Sequence, residues 1–375
     1  MIKKVLQKVF KKFSYGIFLK IYGKIENSIE CEKDDRIKVK TISEEENLKY
    51  KIYKIPNSRL YTDRIQDTAV IIDNKIVEGP SFQFRYTKAS TISNSKSENN
   101  IVFKKGTPRK LKNLKGTVLS LLTGGAGNTN YWHWIFDVLP RIGLFSKVYD
   151  LNEIDYFLVP DLVKKFQYET LNSLKIPTNK ILSSKKYRHI KAEELIVTDH
   201  PVVTTGNATR DILNIPIWII KWLQEKFIIK DIIKDKKIKN KIYIDRTDDK
   251  LKGIELRSIK NENEIKKYLL SKNFIFVKLH EISFFDQVNY FYNADCVVGL
   301  HGAGFANISF CRPGTKIIEL KGLHAGLIFE NLSRRNNLNY YSIPCKAKEV
   351  TNYKFPNQQG QIEVPINSLS KILEG

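Results

Sequence analysis

Asp295-Cys-Val-Val-Gly-Leu300 runs straight into His301-Gly302-Ala303-Gly304-Phe-Ala-Asn307-Ile-Ser-Phe310. The first six residues are a short apolar run, the pattern of a buried strand, and the rest opens a short helix over Ala303 to Phe310. A strand, a glycine turn and a helix make the first half of a parallel crossover unit. The same alternation extends both ways. Lys241 to Asp245 reads as a strand, Asn261 to Ser271 as a helix and Phe274 to Leu279 as a strand. Ser283, as N-cap, opens a helix to Asn293, and beyond the quoted stretch lie a strand at Lys316 to Leu320 and a helix at Gly326 to Asn336. Strands separated by helices give right-handed crossovers and a parallel sheet. Ligands of such sheets bind at the edge where the strands' carboxyl ends lie.

The preceding half is also α/β. Ala69 to Val77 reads as a hairpin turning at Asp73-Asn74, and Ser90 to Asn100 as a loop. Strands are predicted at Thr117 to Leu122, Asp155 to Val159 and Glu194 to Val197. Helices are predicted at Tyr131 to Val148 (despite Pro140), Asp161 to Leu174 and Asp211 to Ile229. Composition shifts to Lys, Ile and Asp between Phe227 and Lys241, which suits a boundary. The predicted organisation is a basic helix and linker over 1–50, an α/β domain over 51–230, a second over 231–345 and a tail over 346–375.

At 375 residues the chain suits two domains. Its 63 basic and 40 acidic residues give a net charge of +23, which calls for an anionic partner unless it is only a compositional bias. Nucleic acid is not expected, because the lysines are dispersed and no recognition motif is present. The cysteines Cys31, Cys296, Cys311 and Cys345 have neither zinc-ligand nor disulfide-framework spacing and suit a reducing compartment. No apolar run approaches bilayer-spanning length, and lysines break every stretch that could serve a secretory leader. A cytoplasmic location is expected. Residues 1–25 hold seven lysines and no acid, with Ile2, Val5, Leu6, Val9, Phe10, Phe13 and Ile17 at helical spacing. Such an amphipathic helix can lie on an anionic membrane surface at the inner face of the cytoplasmic membrane, or pack on its own domain.

Three features meet at the carboxyl edge of the second sheet. Arg246 follows the first strand, His301-Gly302-Ala303-Gly304 follows the third and Glu319 ends the fourth. Glycines let a diphosphate approach the backbone, and the helix N-terminus offers free N–H donors. Arg246 and Arg257 can hold phosphate oxygens, and Glu319 can accept from sugar hydroxyls. Together they describe a nucleoside-diphosphate site. The strict dinucleotide fingerprint is not met, since Asn307 stands where its third glycine belongs. An esterase oxyanion loop would need a G-x-S-x-G elbow, and the chain has none.

The first half supplies Asn130-Tyr-Trp132-His133-Trp134-Ile-Phe-Asp137-Val-Leu-Pro140-Arg141, preceded by Gly124-Gly-Ala-Gly-Asn128. His133 and Asp137 are one helical turn apart, so the carboxylate can orient the imidazole and raise its basicity. Either could serve as a general base. Asn130, Trp132 and Trp134 flank the pair, and the indoles could stack on sugar rings.

This motif resembles the first signature of glycosyltransferase family 61, the capsular polysaccharide biosynthesis type. Tyr243-Ile-Asp-Arg246, Arg257-Ser-Ile-Lys-Asn261-Glu262, Gly299 to Phe310 and Pro313-Gly-Thr-Lys-Ile-Ile-Glu319-Leu follow in that family's order. The resemblance covers about residues 110–345. It implies a GT-B fold, two Rossmann-like domains facing across a cleft, with donor on the second and acceptor on the first. It also implies inverting transfer from a nucleotide-sugar to a polysaccharide or lipid-linked glycan, with neither cofactor nor metal. The absence of any D-x-D pair fits the last point. His301, Gly302, Ala303, Arg246, Asn261 and Glu319 become donor-side residues, with His133 and Asp137 opposite. The alternative is a non-catalytic nucleotide-binding module.

Overall fold

The computed structural model describes residues 2–45, 48–62, 68–81, 83–86, 92–95, 97, 100–104, 106–122, 130–229, 240–246, 257–348 and 360–375, with backbone alone at 2–4, 83–86 and 92–95. The chain divides into two compact units, Met1–Ile212 and Leu213–Gly375. The glycine-rich Gly124 to Asn128 and most of the Lys-, Ile- and Asp-rich stretch between Phe227 and Lys241 lie outside the described residues.

The first unit carries a mixed sheet. Its strands are β1 (Ser28–Ile29), β2 (Lys38–Ser43), β3 (Lys49–Thr62), β4 (Thr68–Ile72) and β5 (Lys75–Val77). A separate hairpin pairs β6 (Gln83–Tyr86) with β7 (Ile92–Ser95), and β7 falls inside the Ser90 to Asn100 stretch expected to be a loop. Then come β8 (Lys112–Ser120), β9 (Tyr156–Val159), β10 (Ile181–Ser183) and β11 (His189–Thr198). The order is β1-β5-β4-β3-β11-β8-β9-β10, with β2 alongside β3. From β11 to β10 neighbours are parallel, whereas β3 runs antiparallel to β11, β2 and β4. The β4–β5 turn has Asp73 and Asn74 at φ 45° and 58°, the left-handed pair that a two-residue hairpin requires.

Among the described residues five α-helices accompany this sheet: α1 (Ile2–Tyr22), α2 (Tyr131–His133), α3 (Leu139–Ser146), α4 (Lys165–Ser173) and α5 (Ala208–Asp211). Between α2 and α3 the segment Trp134–Val138 is π-helical, and the N–H of Leu139 bonds back to the Trp134 carbonyl. Pro140 has no N–H to offer the preceding turn, so the ladder widens there instead of breaking. The predicted helix therefore survives with a bulge inside its motif. It follows β8, a central strand of the parallel half, so the motif lies after that strand's carboxyl end.

The second unit matches the alternation most closely. It contains α6 (Ile217–Phe227), β12 (Asn240–Ile244), β13 (Arg257–Ile259), α7 (Glu262–Ser271), β14 (Phe274–Val277), α8 (Phe284–Tyr292), β15 (Ala294–Leu300), β16 (Lys316–Gly322), α9 (Ile328–Arg335), β17 (Asn339–Cys345), β18 (Ala347–Lys348), β19 (Gly360–Ile362) and α10 (Ile366–Glu374). A 3-10 helix spans Ala303–Phe310, where a short helix was predicted. Ser283 caps α8 and shares a reciprocal box with Asp286. The main sheet is all parallel, in the order β14-β12-β15-β16-β17. That order reverses between β12 and β15, which places the switch-point crevice at their carboxyl ends.

Two further expectations change. The long helix predicted from Asp211 starts only at Ile217, because Pro216 fixes an extended entry and serves as its N-cap. The C-terminal residues are no loose tail, since β19 pairs with β13 and Val364 and Leu369 are buried in the second core.

α1 is split in its packing. Phe18 is fully buried against Tyr61 and His189, and Tyr15 donates to the Phe103 carbonyl at 2.6 Å. The outer turns leave Val5, Leu6, Val9, Phe10 and Phe13 more than half exposed. Among the described residues no helix is long and apolar enough to cross a membrane.

Candidate active site

The crevice of the parallel sheet is built around one peptide carbonyl. β15 delivers His301 to its end, and the His301 N–H continues the ladder to the Leu320 carbonyl at 2.8 Å. The His301 carbonyl, which faces out of the ladder, accepts from Arg246 Nη1 at 3.0 Å and Arg257 Nη1 at 2.8 Å. Arg246 comes from the end of β12, and Arg257 opens β13. Two guanidinium groups thus converge on one neutral oxygen, an arrangement that gathers positive charge at the turn. Burial lowers the Arg257 pKa, partly offset by Glu319. Its Nε is buried without a hydrogen-bond partner among the described residues.

Gly302 is required here by space. A Cβ on it would lie 2.3 Å from Arg246 Nη1. Because the obstructing atom is the end of a flexible side chain, Gly302→Ala should leave the fold intact and push Arg246 off the His301 carbonyl. On the reading of this turn as a nucleoside-diphosphate site, which is a proposal, losing one charge-assisted contact corresponds to roughly 10- to 100-fold weaker nucleoside-diphosphate binding. Calorimetric titration checks this, with an unchanged melting temperature as the control.

The His301 imidazole is itself nearly buried. Its Nδ1 bonds to Glu319 Oε1, and Tyr340 donates to Glu319 Oε2. Lys321 Nζ stands 3.6 Å from the same Oε2. Glu319 is 1% exposed with both oxygens engaged, so it does not present the exposed carboxylate that holding sugar hydroxyls would need. The expectation that it holds sugar hydroxyls is replaced by a role as the anchor of His301. Burial pulls the His301 pKa below 6.5, outweighing Glu319, with Arg257 and Lys321 acting in the same direction as burial.

The remaining donor-side candidates divide. Ala303 sits half-buried at the start of the 3-10 helix. A Cβ on Gly304 would meet Leu279 Cδ1 at 2.7 Å, so that glycine serves close packing. Asn307 is fully buried and donates to Gln287 Oε1 and the Gly304 carbonyl, which makes it a brace for the turn. Asn261 is committed at both ends of its amide to Val364, giving to its carbonyl at 2.9 Å and taking from its N–H at 3.0 Å. It ties down the C-terminal segment.

In the first unit, His133 Nδ1 meets Asp137 Oδ2 at 2.6 Å. The side chain of His133 is 36% exposed and that of Asp137 5%, so the imidazole faces outward and the carboxylate inward. Burial alone would lower the His133 pKa. The charge and hydrogen bond of Asp137 outweigh it, and the net shift is upward from 6.5. Asp137 shifts down despite its burial, under the influence of His133, His200 and Arg141. His200 was not singled out by sequence. Its Nδ1 accepts from the N–H groups of Val202 and Val203, which puts its proton on Nε2, 3.9 Å from Asp137 Oδ2. Burial drops the His200 pKa to about 3, so it stays neutral.

The tryptophans fall elsewhere than expected. Trp134 is fully buried with its Nε1–H on Thr170 Oγ1 at 2.9 Å, and Trp132 packs on Phe136 with ring centroids 4.3 Å apart. At 0% and 6% exposure, neither indole has an open face for a sugar. Asn130 caps α2 by accepting from the Trp132 N–H. Tyr340 and Lys321, the further partners of Glu319, also escaped the sequence reading: only the register of β16 against β17 brings Tyr340 to Glu319, whereas Lys321 lies two residues further along β16 on the same face.

No curated protein matches the chain. The family described as Glycosyltransferase 61 matches residues 131–318. That match opens on the helix bearing His133 and Asp137 and takes in Arg246, Arg257 and the His301 turn. With half of its length matched across both constellations, the chain belongs to glycosyltransferase family 61 and is a glycosyltransferase.

Proposed function

We propose that this enzyme moves a sugar from a nucleotide-sugar donor to a hydroxyl of a polysaccharide or glycolipid acceptor, as a GT-B enzyme, with inversion and without a metal, in cell-surface or capsular polysaccharide synthesis. The observation that carries the reading is the convergence of Arg246 and Arg257 on the His301 carbonyl at the sheet's switch point. In this role the arginines hold the donor's diphosphate and meet the charge that develops as it leaves. His133 takes the acceptor's proton. Its Nδ1 is given to Asp137, which leaves the Nε2 lone pair as the accepting site. The acceptor oxygen attacks the anomeric carbon from the face opposite the diphosphate, and the C–O bond electrons depart with the diphosphate. Incubation with a panel of UDP-, GDP- and dTDP-sugars and a glycan acceptor, with chelator present, tests the reading. It fails if no member of the panel releases nucleoside diphosphate.

The outer turns of α1 are read as a contact with the anionic inner surface of the cytoplasmic membrane. Five apolar side chains are exposed there beside Lys8, Lys11 and Lys12, with Phe18 holding the helix to its unit. Deleting residues 1–13 should shift the protein from pellet to supernatant when it is sedimented with phosphatidylglycerol vesicles. An unchanged distribution would remove this part of the proposal.

A further inference from the structure

We infer that the His301–Glu319 pair takes up one proton when a nucleoside diphosphate binds, so that donor affinity is linked to pH; the inference rests on the donor-site reading above. The argument is a count of hydrogens. Glu319 Oε2 already accepts from Tyr340, and Lys321 stands beside it. Oε1 is bonded to His301 Nδ1, and an ionised carboxylate has no proton to give, so the single hydrogen of a neutral imidazole must lie on Nδ1. Nε2 then has only a lone pair. It has no hydrogen-bond partner among the described residues.

A diphosphate held by Arg246 and Arg257 beside this ring presents oxygens that accept and cannot donate. Nε2 can bond to them only if it carries a hydrogen of its own. The pair holds one proton for two hydrogen bonds, so the second must come from solvent. The groups facing the ring favour this once the anion is in place. Among the described residues Arg257 and Lys321 bring positive charge to the ring against the carboxylate of Glu319, Phe329 closes one side at 5.0 Å between centroids, and Tyr340 is neutral with Glu330 beyond it. Burial and these cations keep the imidazole neutral. A bound diphosphate cancels the cations and favours the imidazolium.

The test is calorimetric titration of the full chain with UDP and with GDP at pH 7.5, in two buffers of different ionisation heat. The terminal phosphate titrates near pH 6 and is largely ionised there. Binding by the wild type should take up about one proton. In His301→Gln the amide donates without titrating, and in Glu319→Gln the amide donates to Nδ1 and frees the ring's own hydrogen for Nε2. Both variants should bind with uptake near zero. Wild-type affinity should also fall by up to about tenfold per pH unit between pH 7 and 8.5. Binding without uptake, or uptake equal in the wild type and both variants, overturns the inference and leaves the donor site standing. If both variants fail to bind, the wild-type pH slope decides, and a flat profile overturns it. No binding of either nucleotide by the wild type overturns the donor-site reading itself, and this inference with it.

Discussion

Replacing His133 with alanine should lower kcat by about 100- to 10,000-fold, the usual worth of a positioned general base, with donor affinity unchanged. The separation of the two effects matters more than the size of either. His133 belongs to the first unit, and its Nδ1 bond to Asp137 leaves Nε2 as its free accepting atom. The donor's diphosphate is assigned to residues of the second unit. Asp137→Asn should also lose activity, and through a different signature. The base works only when unprotonated, so wild-type kcat should fall as pH drops through the raised His133 pKa. Removing the carboxylate's charge should move that limb to lower pH. The stability contribution has the opposite sense. A raised folded pKa makes the pair stabilising below the unfolded value of about 6.5, and that stabilisation is lost as pH rises through the folded value. Asp137, with its lowered pKa, contributes above its own unfolded range and loses that contribution on acidification. On the proposed role of His133, the enzyme works on the side where the pair holds the fold less firmly.

Arg141→Ala should destabilise the first unit by about 3–5 kcal/mol, the cost of breaking a buried charged contact. Arg141 is fully buried and acts as a clamp. Its Nε donates to the Asp137 carbonyl at 2.9 Å, and its Nη1 reaches the carbonyls of Thr198 and Asp199 at 3.2 and 3.3 Å. It thereby ties the π-helical segment that carries Asp137 to the end of β11 and to the turn bearing His200. Burial brings its pKa down to about 10, low for an arginine and still charged at neutral pH. Alanine leaves three carbonyls short of a donor and a cavity beneath the motif. Denaturant unfolding of the purified variant measures the loss, and a change below 1 kcal/mol would mean that Arg141 does not clamp this segment.

How much of this could be read beforehand depended on local signals. The parallel sheet was legible because β12, β15 and β16 are short apolar runs, and because Ser283 marks the start of α8 chemically. β17 was not legible, since Pro344 lies within it and no apolar alternation announces it. Such a proline is tolerated because the strand forms the edge of the sheet. With β17 missed, Tyr340 was missed, and Glu319 was assigned to sugar hydroxyls. The antiparallel half of the first sheet was also invisible apart from the Asp73-Asn74 turn, because pairing between β3 and β11 spans more than a hundred positions. His133 and Asp137 could be paired from spacing alone. His200 could not, since its approach to Asp137 depends on where β11 ends.

The measurement that bears most directly on the account is titration of the Arg246→Ala/Arg257→Ala double variant with the nucleoside diphosphate that best raises the wild-type melting temperature. Loss of both charge-assisted contacts should weaken binding by at least about 100-fold, while His133→Ala binds as the wild type does. Undiminished binding by the folded double variant would place the diphosphate elsewhere and contradict the assignment of the His301 turn as the donor site.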